Sequence, residues 1–156
     1  MADVSTLNIP YASPGALDNR MGIEYLEARP GRVVARMPVD GNTQPLGLLH
    51  GGASCVLAES LGSMAAAIHS MPAAYPVGVD INATHHRGVR SGYVTGVATP
   101  IHEGRTTATY AISITDDDDR PVCTARLTCF LRPMDPTAGT SNASTSDSST
   151  DRPTGS

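Results

Sequence analysis

Residues 47 to 63 read GLLHGGASCVLAESLGS. His50-Gly51-Gly52 stands where a helix would begin, and Glu59 follows two turns later on an otherwise uncharged stretch. The first turn of a helix presents unpaired backbone N–H groups and the positive end of the helix dipole. Without side chains at Gly51 and Gly52, a carbonyl oxygen could approach those N–H groups and be polarised, as in an oxyanion hole. The same two glycines would equally suit close packing of a helix on a sheet. Glu59 is the second tool. A carboxylate that attacks a polarised carbonyl, or activates water beside it, must sit about 3–3.5 Å away. Gly52 and Glu59 are separated by roughly 10 Å along a helix axis. If both serve one carbonyl, they therefore come from two chains. Two antiparallel helices at a two-fold interface would build two equal sites.

Two further side chains fit this chemistry. Ser63 lies one turn beyond Glu59 on the same helical face, where its hydroxyl could orient the carboxylate or a water. Gln44, in the loop before the helix, could donate to a carbonyl or hold a water. A small residue at a helix contact and an ordinary loop residue are the plainer readings of the pair.

These groups need a scaffold. SPGALDNR (13–20) predicts a short helix capped by Ser13 with Pro14 in its first position. GIEYLEAR and RVVARMPV flank Pro30-Gly31 and predict a hairpin, followed by a loop over 40–47. A helix is predicted from Gly51 to Ser70, stopped by Pro72. Four strand-like runs follow, at 77–86, 92–103, 105–115 and 120–132, with turns at Glu103-Gly104 and Asp116–Asp119. In the first of these, Val77, Val79, Ile81 and Ala83 alternate and are expected on one face. The long helix is apolar nearly all round, which predicts burial. One buried helix and six strands imply an α+β fold, an antiparallel sheet wrapped around the helix: the hotdog architecture.

Composition bounds the rest. The chain has 156 residues, 40% of them hydrophobic, with one Phe and no Trp, so a single core is built from aliphatic residues and Met. Its net charge of −4 argues against nucleic acid or an anionic membrane as partner. All its basic residues are Arg, which suits bidentate contacts to phosphate. No run of about 18 apolar residues and no secretion signal is visible. Cys55, Cys123 and Cys129 form neither a metal pattern nor a disulfide framework, which points to a reducing, cytoplasmic setting. His85, His86 and His102 do not suggest a metal, because adjacent residues on a strand face opposite ways. The Asp116–Asp119 run lacks calcium-loop spacing and is expected to be a solvated turn. Residues 134–156 contain no Val, Ile, Leu or aromatic residue and are expected to be a disordered tail, leaving 12–133 as the domain and 1–11 as an extension.

GLLHGGASCVLAES resembles the HGG motif of the PaaI-like hotdog acyl-CoA thioesterases, and VDINATHHRGVRSGYVTGVATPIHEGRTT with CTARLTCFL resembles the strands that follow it there. The resemblance covers nearly all of 12–133. It is nearest the subgroup with Glu on the central helix, which includes 4-hydroxybenzoyl-CoA thioesterase of the Arthrobacter type. It implies that Glu59 is nucleophile or general base, and that the Gly51 N–H polarises the thioester carbonyl within a turn shaped by His50, Gly51 and Gly52. Gln44 is implied near the thioester, and Ser63 at a position that often carries Thr and helps place water or leaving group.

The resemblance further implies that coenzyme A is bound, as part of substrate and product, near the ends of the later strands. Arg87, Arg90, Arg105, Thr106 and Thr107 are the candidates for its phosphates. Asn82 and His86 are expected along the helix–sheet layer or the acyl pocket. No other cofactor and no metal is implied, because a thiolate leaves readily. A dimer at minimum, and a tetramer of two dimers, is expected. Aryl, arylacetyl and medium-chain acyl groups all stay open as substrates. Two rivals stand beside this reading. A hydratase or dehydratase on the same fold would need a catalytic His with an acidic partner, and its Asp-x4-His pattern is absent from this helix. A non-catalytic acyl-CoA binder could dispense with Glu59, which this chain keeps.

Overall fold

The computed structural model describes residues 14–134. Ser13, the N-terminal extension and the expected tail beyond Met134 lie outside the described residues. The elements follow the predicted order: α1 (Ala16–Met21), β1 (Glu24–Arg29), β2 (Arg32–Pro38), α2 (Gly51–Ser70), β3 (Ala74–His85), β4 (Tyr93–Glu103), β5 (Thr107–Asp116) and β6 (Pro121–Pro133). The short helix begins later than expected. Gly15 is its cap residue, without a side-chain cap bond, and Pro14 precedes it rather than opening it.

Every strand pairing is antiparallel. The order across the sheet is β1-β2-β4-β5-β6-β3. β2 and β3 are thus far apart in the sheet, and α2, which connects them, is carried across its inner face. Leu57, Ala58, Leu61, Ala65 and Ala66, at helical spacing, bury against inward residues such as Val33, Tyr110, Ile112 and Leu127. By length and mean hydropathy α2 reaches the range of a membrane-crossing helix, although Ser54, Glu59, Ser60, Ser63 and His69 interrupt its apolar run. In this fold its apolar surface is spent on the sheet. It is not enclosed all round, however. Cys55, Val56, Glu59, Ser60 and Ser63 form a half-buried stripe on its open side.

β3 also differs from expectation. The pairing with β6 slips between Gly78 and Asp80, so Val79 is an extra residue in a bulge. Gly78 pairs with buried Cys129 and Ile81 with buried Leu127, on the inner face, whereas Val77 pairs with exposed Phe130 on the outer one. The bulge therefore splits the predicted Val77–Ala83 face in two. β3 is an edge strand, and Val77, Val79 and Ile81 are exposed along it.

The acidic turn is less solvated than expected. Asp116 is buried and accepts hydrogen bonds from the backbone N–H of Asp118 and Arg120 and from the Arg120 guanidinium. Burial alone would raise its pKa, but these donors outweigh burial and hold the carboxyl below its ordinary value.

Candidate active site

His50 is the cap of α2, and its role follows from one hydrogen bond. Its Nδ1 accepts from the Gly52 N–H at 2.8 Å. Gly52 is therefore engaged, which narrows the predicted oxyanion pair to one. The Gly51 N–H has no partner among the described residues. It is left at the positive end of a twenty-residue helix. Accepting at Nδ1 also places the proton of a neutral His50 on Nε2.

The surroundings of Gly51 are tight. A Cβ there would stand 2.9 Å from His85 Nε2, so the imidazole lies over the glycine and would have to shift to admit a side chain. Gln44, Gly51, Ser54, His85, His86 and Arg87 border one cavity of about 360 Å³. Gln44 is oriented within it: its side-chain oxygen accepts from the Leu46 N–H. The Gln44 carboxamide N–H groups are then the ones available to a ligand carbonyl.

Glu59 lines a second cavity of about 220 Å³, with Asp18, Tyr25, Ser60, Ser63 and Met64. Burial raises its carboxyl above the ordinary range, and a hydrogen bond from Ser63 opposes that shift without cancelling it. The carboxylate rests against the bulge of β3. A Cβ at Gly78 would overlap Glu59 Oε1. Cys129, beneath the same spot, is fully buried. Burial is the main reason its thiol is pushed up to about 11, so it stays protonated and is no nucleophile at neutral pH.

Gly51 and Glu59 thus belong to different cavities on one helix, about 12 Å apart along its axis by the rise per residue. The other predicted residues divide similarly. His86 and Arg87 join Gly51. Arg90 stands close by, its guanidinium donating to the Leu46 carbonyl at 3.0 Å. Arg105, Thr106 and Thr107 sit at the opposite end of α2, next to Gly104, whose carbonyl contacts His69. Asn82 is not in the helix–sheet layer. It pairs with exposed Arg126 on the outer face, because the bulge fixes that register. His86 Nε2 contacts the Thr124 hydroxyl at 2.9 Å.

His85, Gly78, Asp18 and Tyr25 escaped the sequence reading. An isolated glycine within a strand pattern is a usable sign of a bulge or close approach. The His pair showed that one ring must face inward, but not which. Asp18 and Tyr25 carry no spacing signal at all.

Residues 46–123 match the model of the thioesterase superfamily, a stretch that holds His50, Gly51, Glu59, Ser63 and His85. The chain belongs to the thioesterase superfamily. This thioesterase is 46% identical over 139 residues to a Pseudomonas aeruginosa protein described as an esterase, covering 88% of this chain and 94% of that one. It is 47% identical over 116 residues to the proofreading thioesterase EntH of Cronobacter turicensis, covering 74% and 85% of the two chains. A solved thioesterase of Haemophilus influenzae superposes with a TM-score of 0.73 at 40% identity, over 76% of this chain and 84% of that one. The fold is therefore the hotdog fold of thioesterases, and the enzyme is a thioester hydrolase.

Proposed function

We propose that the enzyme hydrolyses acyl-CoA thioesters, with aryl and arylacetyl groups favoured over medium chains, in sites shared by two subunits. The observation that carries this is the unpartnered Gly51 N–H at the head of α2, in a different cavity from Glu59. Each is half of a hydrolytic site. An antiparallel pair of α2 helices across a two-fold axis sets Gly51 of one subunit opposite Glu59 of the other. The half-buried stripe of α2 and the exposed apolar edge strand β3 support a homodimer there, and a tetramer of two dimers follows the same reading.

In this arrangement the thioester oxygen accepts from the Gly51 N–H, and the Gln44 carboxamide adds a second donor. Glu59 either takes a proton from water as the oxygen adds to the carbonyl carbon, or adds to that carbon itself and is released by water afterwards. Negative charge gathers on the carbonyl oxygen at the positive end of α2. Collapse breaks the C–S bond, and the CoA thiolate leaves and is protonated. Water and thioester give acid and CoA, with no metal or redox cofactor required by the balance.

The pairing also gives the distant arginine a place. With Gly51 opposite Glu59, the far end of each α2 overshoots its partner's start by about 16 Å. That carries the Arg105 turn outward, along a path a CoA nucleotide could follow from Arg87. CoA release, read with a thiol reagent across a panel of acyl-CoAs, tests the reading. Turnover of an aryl class that Glu59→Ala abolishes, with binding kept, is expected. Tight acyl-CoA binding without turnover in the wild type would instead make this a binding protein.

A further inference from the structure

The far end of α2 carries a cluster that the proposed hydrolytic step does not use. His69, in the last turn of α2, reaches the β4–β5 turn, where its Nε2–H donates to the Gly104 carbonyl at 3.0 Å. Its Nδ1 faces Glu103 Oε2 at 4.0 Å. The other oxygen of Glu103 accepts from the Tyr110 hydroxyl at 2.9 Å. A bulge puts Glu103 on this side of the sheet. The β4–β5 pairing slips between Pro100 and His102, which brings Glu103 opposite buried Ala108, on the inner face that α2 covers. Tyr110 is fully buried, and burial with the adjacent carboxylate raises its pKa, so its hydroxyl stays a donor.

These contacts converge on the turn itself. The Gly104 N–H donates to the Thr107 carbonyl at 2.9 Å, and the Thr106 carbonyl accepts from the Leu131 N–H at 2.8 Å. A Cβ at Gly104 would stand 2.6 Å from His102 Nε2 and 3.0 Å from the Thr107 carbonyl oxygen, so the turn is tightly closed. Arg105 and Thr106 are exposed at its tip. Arg29, Arg32, Arg36, Arg120 and Arg126 each pair with a carboxylate, whereas Arg105 pairs with none among the described residues. Its guanidinium is therefore free for an anion, and His69 ties the backbone beside it to α2.

We propose that His69 is a positioning residue for coenzyme A: through Gly104 it sets the Arg105 turn to meet the phosphates of the nucleotide. The inference rests on the acyl-CoA reading, which brings a nucleotide to this turn. Glu59 and His69 lie ten residues apart on one helix, about 15 Å by its rise. One element thus fixes both the carboxylate that meets a thioester and the turn that meets distant phosphates. A guanidinium gains two parallel N–H···O bonds to phosphate only when its orientation is set. Without the His69 bond the turn is freer, and the cost of ordering it falls on binding.

The test uses CoA and pantetheine, its fragment without the nucleotide, by calorimetric Kd, and their benzoyl thioesters by steady-state kinetics. His69→Ala is expected to raise the Kd of CoA about tenfold, the scale of one charged hydrogen bond, and to raise KM rather than lower kcat for benzoyl-CoA. The effect is expected only where the nucleotide is present, so the preference for CoA over pantetheine falls by the same factor. His69→Gln, whose amide N–H can reach Gly104, should recover that preference. An unchanged preference in His69→Ala, or His69→Gln no better than His69→Ala, overturns the proposal. Equal losses with CoA and pantetheine mark a merely structural role and overturn it too. So does wild-type enzyme that binds CoA no tighter than pantetheine, a result that needs no variant to fold. Benzoyl thioesters hydrolysed with equal KM on both carriers reject His69 and keep the hydrolytic reading. CoA binding that depends on His69, without hydrolysis across the acyl-CoA panel, rejects the hydrolytic reading and keeps His69.

Discussion

The Glu59 carboxylate occupies the space that a side chain at Gly78 would need. The two residues come from elements far apart in sequence, and they meet because the bulge at Val79 turns Gly78 inward. Gly78→Ala must therefore displace Glu59 while leaving its chemistry intact. We expect kcat to fall by about 10²-fold, the scale of an ångström's misplacement of a reacting group, with KM changed much less. Steady-state kinetics checks it, and near-normal kcat would show that the carboxylate has slack.

Burial makes Glu59 harder to ionise than an ordinary glutamate. A raised carboxyl pKa has a defined sign for stability. Between the ordinary value of 4.5 and the raised one, the folded state holds the proton more tightly than the unfolded state. Stability is full below 4.5 and falls as pH climbs through that window. Glu59→Gln, which cannot ionise, should raise Tm at neutral pH, and the gain should fade in acid. If Glu59 acts as the carboxylate of the proposed mechanism, activity has the opposite trend: kcat should rise with pH through the same raised pKa. Thermal melts and a pH–rate profile check both.

Gln44 offers its N–H groups because Leu46 holds its oxygen. Gln44→Glu replaces that donor with an acceptor at the position the proposed mechanism gives to the carbonyl oxygen. We expect kcat/KM to drop by about 10²–10³-fold, comparable to losing one oxyanion donor. Gln44→Ala should cost less, since water can enter. The two variants assayed side by side give the order.

His50 ties the first turn of α2 through the Gly52 N–H. His50→Ala should lower stability by about 1 kcal/mol, the typical value of a cap. His50→Asn, which can accept the same bond, should recover most of it. Denaturant titration of the three proteins checks this.

Much of this was legible in the chain. Pro30-Gly31 marked the hairpin, and the apolar run from Gly51 to Ser70 marked α2. The spacing of Gly51 and Glu59 along one helix was enough to place them in different cavities, because helix rise is fixed by backbone geometry. What failed depended on register. The period-two rule assigns Val77 and Ile81 to one face, but a single bulged residue reverses it, and bulge position is set by pairing with β6. That same slip decided that His85 faces Gly51 and that Asn82 faces away. Asp18 was beyond reach for another reason: it meets Ser60 only through the docking of a six-residue helix.

The central claim is that one site takes Gly51 and Glu59 from two subunits. Subunit mixing tests it most directly. Glu59→Ala and Gly51→Val are each expected to be inactive alone. Refolded together in equal amounts, half the dimers are mixed, and each of these has one intact site, so about a quarter of wild-type CoA release should return. Mixed dimers recovered through two different tags but without activity would contradict a site shared between subunits.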